Sequence, residues 1–324
     1  MKLSRKNFLW WISGTLVSAS LVTGLGCVLR EESTAPAEPG ETGKLEGTDQ
    51  SSYTGKLGHI HQAHEEIVTV QLKHLEDMKN IAVLDEGTIN DCFRRGEYLF
   101  SVQMMPLDGA RFLEIMDEIW DVVREESPGI SDLAFKLSTA DTFREDNLQA
   151  VLHEIAFMSK AEMERFITAQ GLETKSGADS EVLSFVLFMS LTPFYSAYTE
   201  KVAQANDFSL WRQGHCPVCG QPAVMARHRS TDGARVLFCW LCHAEWLFPR
   251  LVCPYCGNDD QEKLRFFYVQ DDRALQVHVC EQCKRYLKTI DHRALEKDLL
   301  LDAEEIATRH LDLLAKNEGY RRPD

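Results

Sequence analysis

Eight of the ten cysteines stand in four Cys-x-x-Cys pairs: Cys216 with Cys219, Cys239 with Cys242, Cys253 with Cys256, and Cys280 with Cys283. Cys27 and Cys92 stand alone. "CPVCG" at 216–220 returns as "CPYCG" at 253–257. Two thiolates two residues apart sit on one side of a tight turn. Pro presets that turn, and Gly after the second Cys tolerates positive φ. Two such knuckles joined by a hairpin make a tetrahedral four-sulfur site, which suits Zn²⁺ or a single iron. Secreted disulfide frameworks rarely use this spacing four times, so the pattern points to metal ligation.

The repeat assigns Cys216, Cys219, Cys239 and Cys242 to one site, and Cys253, Cys256, Cys280 and Cys283 to the other. Crossed pairing satisfies the same spacings, but the duplication supports the sequential one. The second knuckles, "CWLCH" and "CEQCK", lack the glycine, so the two halves of each site are expected to differ. Four thiolate ligands leave no open coordination position, which disfavours Lewis-acid hydrolysis. What remains is a structural staple or, with iron, one-electron redox. His215, His243 and His278 lie beside the ligands and read as surroundings of complete sites.

A formal net charge of −15 argues against general nucleic-acid binding. Residues 211–291 carry 11 Lys and Arg against 9 Asp and Glu, so the rest of the chain holds the acidity. Arg227, Arg229 and Arg235 gather on the first hairpin. They are the best case for a zinc-ribbon nucleic-acid module, and a thin electrostatic footprint. A Cys-x-x-Cys redox protein is the other alternative, but no βαβ context surrounds the pairs. Trp211, Trp240 and Trp246 read as core or interface anchors, with core packing expected for at least two.

The elements that position these thiols form an α+β chain. Each four-thiol unit reads knuckle, strand, polar turn, strand, knuckle, with strands in "ARVLFC", "LRFFYV" and "ALQVHVC". These units span 211–291. A helical domain over 59–210 precedes them, and a C-terminal helix and tail over 292–324 follow. In "DGARFLEIMDEIWDVVREE", Phe112, Met116, Ile119 and Val123 mark one buried helix face, with Asp108 as N-cap. "VLSFVLFMSLTPFYSAYT", 182–199, has no charge and reads as a central helix buried all round. His59, His61, His64, His74 and His153 are scattered and read as lacking a third ligand. Residues 31–58, half Gly, Pro, Ser or Thr, read as a flexible linker. Lys2, Arg5 and Lys6 precede an uncharged run over 8–28, an export signal or membrane anchor within residues 1–30. "SRKNFL" resembles the twin-arginine export motif, with Lys6 at the second arginine.

Three stretches resemble the formate dehydrogenase accessory protein family, FdhE. They are "CPVCGQPAV" with "DGARVLFCWLCHAEW", the segment from "PRLVCPYCGNDD" to "CEQCKRYLKTID", and the tail from "ALEKDLLL" to "EGYRRP". The resemblance implies two tandem rubredoxin-like or zinc-ribbon units and a maturation factor rather than a metabolic enzyme. It implies two mononuclear iron sites, or zinc, on the eight paired cysteines. It also implies a partner, the catalytic subunit of a molybdenum- or tungsten-dependent formate dehydrogenase, bound in the cytoplasm before export. Residues 8–28 then read as dispensable or as a tether.

Overall fold

The computed structural model describes residues 29–32, 50–78, 80–126, 151–152, 154–155, 158, 160–169, 177–269, 272–295 and 301–323. The expected leader over 1–28, Cys27, most of the linker and His153 lie outside them, as do the side chains of His59 and His61. The described residues fall into two compact units, one helical and one built on a sheet.

The helical unit draws on Tyr53–Leu84 and Gln103–Val202. It contains α1 (Gln50–Asp77), α4 (Gly109–Glu126), α5 (Lys160–Ala169) and α6 (Gly177–Ala203). Helix α1 begins inside the stretch whose composition reads as a linker, nine residues before the expected start of the helical domain. Helix α4 starts as expected, with Asp108 Oδ1 accepting from the Arg111 N–H at 3.1 Å. Its stripe of Phe112, Met116, Ile119 and Val123 is buried.

Helix α6 is long and apolar enough to cross a membrane, yet 78% of its most apolar window is buried within the protein. Its hydroxyls bond back along the helix, Ser190 to the Val186 carbonyl at 2.7 Å and Thr192 to Phe188 at 3.1 Å. Pro193 has no N–H to offer the carbonyl of Met189, one turn earlier. Buried Gln71 of α1 supplies that missing donor, its Nε2 reaching Met189 O at 2.8 Å.

The second unit holds Asp85–Val102 and Ala203–Asp324. Its sheet comprises β1 (Leu29–Glu32), β2 (Met225–His228), β3 (Arg235–Phe238), β4 (Glu245–Leu247), β5 (Leu264–Val269), β6 (Asp272–Cys280) and β7 (Tyr286–Asp291). The order is β1-β5-β6-β7-β2-β3-β4. The duplication extends further than the cysteines. Each copy is knuckle, two antiparallel strands, knuckle and a third strand. The third strand of the second copy then pairs in parallel with the first strand of the first copy, Met225 opposite Lys288 and His228 opposite Asp291. The two ribbons therefore share one continuous sheet. Strand β1 covers the edge of β5 from within the stretch read as leader and linker.

Strand β7 lies between β6 and β2, so all six of its residues are buried, Lys288 and Asp291 among them. A buried ammonium needs carboxylates. The C-terminal helices α7 (Leu301–Ala307) and α8 (Arg309–Asn317) supply them. Lys288 Nζ lies 2.9 Å from Asp312 Oδ2 and 3.4 Å from Glu305 Oε1. The Tyr286 hydroxyl donates to Asp312 at 2.7 Å, and Arg322 pairs with Glu305. Glu305 is thus spent on this network. Gly319, φ +85°, lies just past the end of α8. Leu311 and Ala315 close a core with Phe267, Val277, Val279 and Tyr286.

Removing the Gln71 amide by Gln71→Leu leaves the Met189 carbonyl buried without a donor. Denaturant unfolding of the helical unit is expected to show a loss of about 1–3 kcal/mol. An unchanged midpoint would mean that the proline gap is satisfied otherwise. Lys288→Met, which leaves two buried carboxylates without their ammonium, is expected to cost about 3–5 kcal/mol. Although burial alone would raise it, Arg322, Lys288 and Arg309 hold the Glu305 carboxyl well below its ordinary range. A depressed carboxylate stabilises above its unfolded value, and that stability is lost as pH falls. Acid titration of wild type against Lys288→Met should therefore show the two beginning to converge as pH falls below about 4.

Candidate metal centres

All four knuckles adopt one backbone. The first Cys N–H bonds the carbonyl five residues on: Cys216 to Gln221, Cys239 to Ala244, Cys253 to Asn258 and Cys280 to Arg285, at 2.8–3.1 Å. The N–H of the residue after the second Cys returns to the first Cys carbonyl in each, from Gly220, His243, Gly257 and Lys284. That residue is left-handed in all four, with φ of 80°, 57°, 72° and 56°. The sequence without glycine implies unequal halves, but the turns are alike. His243 and Lys284 take the left-handed conformation at a cost of about 1–2 kcal/mol each. The hydrogen-bonded loop and the converging sulfurs require it.

The hairpins bring the knuckles together in the sequential pairing. In one cluster Cys216 Sγ lies 3.3 Å from Cys242 Sγ, and Cys219 Sγ lies 3.5 Å from Cys239 Sγ. In the other, Cys253 to Cys283 is 3.7 Å and Cys256 to Cys280 is 3.8 Å. Within each set all four sulfurs lie within 4.8 Å of one another. A disulfide is about 2.05 Å long. A tetrahedron with metal–sulfur bonds of about 2.3 Å has edges of about 3.8 Å. The donor chemistry and the spacing fit a tetrahedral metal, so each cluster could hold a zinc or a single iron ion.

The clusters differ in exposure. Cys216, Cys219, Cys239 and Cys242 are all fully buried. In the second set Cys253 and Cys280 are buried, Cys283 is half-buried and Cys256 is exposed. Burial pushes the Cys216 and Cys219 thiols well up, and those of Cys253 and Cys283 up. Against burial, hydrogen bonds from Cys216, Cys219 and Cys239 hold the Cys242 thiol well down. Against burial, too, the Asn258 N–H and the neighbouring thiols hold the Cys256 thiol down. The first set thus favours a thiolate at Cys242 and resists one at Cys216 and Cys219, and the second favours one at Cys256 and resists one at Cys253 and Cys283.

The first cluster rests on residues that the cysteine pattern does not reveal. The Leu99 and Phe100 N–H groups bond Pro217 O and Val218 O of its knuckle, at 3.0 and 3.1 Å. They belong to α3 (Leu99–Val102), which follows α2 (Glu86–Arg95). Buried Cys92 and Phe93 of α2 are core residues, and Phe93 meets the Trp211 ring edge-on at 5.5 Å. Residues 85–102 therefore serve the ribbon, although their periodicity reads with the rest of 59–210. Trp211 and Trp246 are buried, and their indoles donate to His215 O and Gln213 O at 2.8 and 3.1 Å. Gly214 lies against the leading knuckle of the second copy, where a Cβ would fall 1.9 Å from Pro254 O.

His215 packs edge-on against Trp211 at 5.0 Å, and burial lowers its pKa. His243 stacks on Phe238, and His278 stacks on Phe266. None is grouped with the thiols as a ligand. His74 does gain neighbours that sequence reasoning missed: its ring, Glu114 and Glu118 bring ligand atoms within 4.8 Å. Glu118 also pairs with Lys73 at 2.7 Å, so the group reads as an ion-pair network. Partners forty residues away left no signal in the sequence.

With this geometry in hand, the comparisons are specific. The family pattern described as "FdhE, central domain" matches residues 215–250, which contain the first four-thiol set and its hairpin. This chain is related to the FdhE proteins. It is 34% identical over 151 residues to a protein named FdhE homolog from Aquifex aeolicus, covering 45% of this chain and 52% of that one. It is 29% identical over 181 residues to protein FdhE of Escherichia coli, covering 53% and 56%. The chain thus spans about half the length of the curated relatives it matches. The crystal structure of the FdhE protein from Pseudomonas aeruginosa superposes with a TM-score of 0.51 at 20% identity, over 79% of this chain and 84% of that one. That likeness shows the fold: helices and sheet in the FdhE arrangement.

The exposure difference predicts two-phase metal release. A strong chelator should remove the ion of the Cys253 set first, faster than that of the Cys216 set by about tenfold or more. Thiol alkylation mapped by mass spectrometry should then label Cys256 before any cysteine of the Cys216 set. Protons compete for the thiols whose pKa burial raises, so affinity at both sites should fall with pH. Single-phase release with uniform labelling would show the clusters to be equivalent.

Proposed function

We propose that the eight cysteines ligate two metal ions and that the resulting ribbon is the working part of a formate dehydrogenase accessory protein. It binds the catalytic subunit of a molybdenum- or tungsten-dependent formate dehydrogenase before export and assists its maturation. The observation that carries this reading is the FdhE central-domain match, which falls on the first four-thiol set. The relatives from Aquifex aeolicus and Escherichia coli support it. The chain is not itself an enzyme in this reading. Closed four-thiolate sites offer no position for substrate.

The buried Cys216 set acts as a staple. The Cys253 set, with Cys256 at the surface, is the one placed to meet a partner or, with iron, to exchange an electron. The working domain is cytoplasmic, with residues 8–28 dispensable or acting as a tether.

Metal-loaded full-length protein is expected to retain the apo catalytic subunit in a pull-down, and deletion of the gene should lower formate dehydrogenase activity. Stripping both metals should abolish capture. Absence of capture together with unchanged activity on deletion would refute the assignment. Two irons per chain with thiolate charge-transfer bands would keep a redox role open, whereas two zincs would leave binding alone.

A further inference from the structure

His228 closes β2 with a relative exposure of 1%, and neither ring nitrogen has a hydrogen-bond partner among the described residues. Its Nδ1 lies 3.9 Å from Asp291 Oδ2, beyond hydrogen-bonding reach. Burial, with help from Arg250, pushes its pKa down to about 4, so the ring is neutral and offers one donor and one acceptor. Arg235, 4% exposed, donates to the Pro249 and Val252 carbonyls. Its Nε is unpartnered, and it forms no ion pair with a carboxylate among the described residues. Orphaned buried groups of this kind call for a ligand.

Both side chains line one cavity of about 120 Å³. Arg250, Arg265, Arg285 and Arg293 complete its cationic lining, and no carboxylate among the described residues contributes to it. Five guanidinium groups on one cavity are notable in a chain of net charge −15. Asp291 stands behind the wall and is held by Arg293 at 2.8 and 2.6 Å. Cys253 and Cys280 of the second cluster form another part of the wall. A divalent ion with four thiolates there would bear two negative charges. With Asp291, it would offset part of the guanidinium charge. The floor, His228 and Arg235, is buried, and the rim, Arg250, Arg265 and Arg293, is exposed. At about 10–15 Å³ per water by this measure, the space takes about eight to twelve waters, room for a tetrahedral oxyanion and for what carries it.

We propose that this cavity binds a phosphate-class dianion, free or carried on a larger molecule. Its oxygens accept from the rim guanidinium groups and the Arg235 Nε, and one exchanges a hydrogen bond with neutral His228. Arginine forks match such oxygens in geometry and charge. A monocarboxylate offers half the charge and two acceptor atoms. The ligand would tie the β2–β3 hairpin, the connector at Arg250 and strand β5 together around the second metal centre. The site stands whether or not the ribbon serves a formate dehydrogenase.

The test is calorimetric titration of metal-loaded full-length protein with inorganic phosphate at constant ionic strength. One site per chain is expected, with sulfate competing. Arg250→Gln, on the exposed rim, should weaken binding by about tenfold or more at unchanged metal content. Arg265→Gln should do the same, and Arg229→Gln, outside the cavity, should leave binding intact. Competition by O-phosphoserine would assign a carried phosphate, and binding of the inorganic ion without it a free one. No heat from phosphate or sulfate up to about 10 mM would overturn the proposal, given the stabilisation that any useful affinity must produce. So would equal affinity in Arg250→Gln, or acetate binding as tightly as phosphate.

Discussion

The convergence of four sulfurs at two points governs the sheet-bearing unit. Buried thiolates repel one another, and four buried thiols make poor hydrogen bonds. A divalent cation would resolve both problems and hold the knuckle turns in place. That requirement explains why His243 and Lys284 accept left-handed backbone where glycine would be easier. It also explains why four loops of different sequence share one hydrogen-bond pattern. The sheet's strands are mostly short, and metal cross-links at their ends would add to the apolar burial.

The second organising feature is the join between the ribbons. A parallel pairing of β2 with β7 turns two copies of a unit into one sheet. The copies then meet at several points. Gly214 admits the Pro254 carbonyl. The Tyr255 hydroxyl lies 2.9 Å from Ala223 O and 3.1 Å from Tyr286 O. Tyr255 replaces the buried Val218 of the first copy, so the difference between "CPVCG" and "CPYCG" is where the second knuckle attaches to its neighbours. Burying β7 forces its lysine to find carboxylates, and so the C-terminal helices are docked by charge as well as by apolar contact.

Duplication has not made the two clusters equal. The first is enclosed by α3, Trp211 and Trp246, and its cysteines are inaccessible. The second keeps Cys256 at the surface and stands beside an arginine-lined cavity. Burial raises the dielectric cost of any change in charge, so a sealed centre suits support and an open one suits exchange or recognition.

The cysteine spacing determined the four knuckles and their donor chemistry, its duplication pointed to the sequential grouping, and the sulfur distances bear that grouping out. Period-two and period-3.6 patterns located the strands "LRFFYV" and "ALQVHVC", the Asp108-capped helix and the buried nature of α6. These features depend on neighbours within a few turns or within one hairpin, and local spacing records them. Tertiary structure decided the rest. The attachment of residues 85–102 to the first knuckle spans more than a hundred residues. The rescue of the Pro193 gap by Gln71 spans 118. The parallel join, the exposure of Cys256 and the gathering of five arginines depend on which strands become neighbours. No period in the chain encodes that choice, because it is settled by which buried groups can satisfy one another once the sheet is closed.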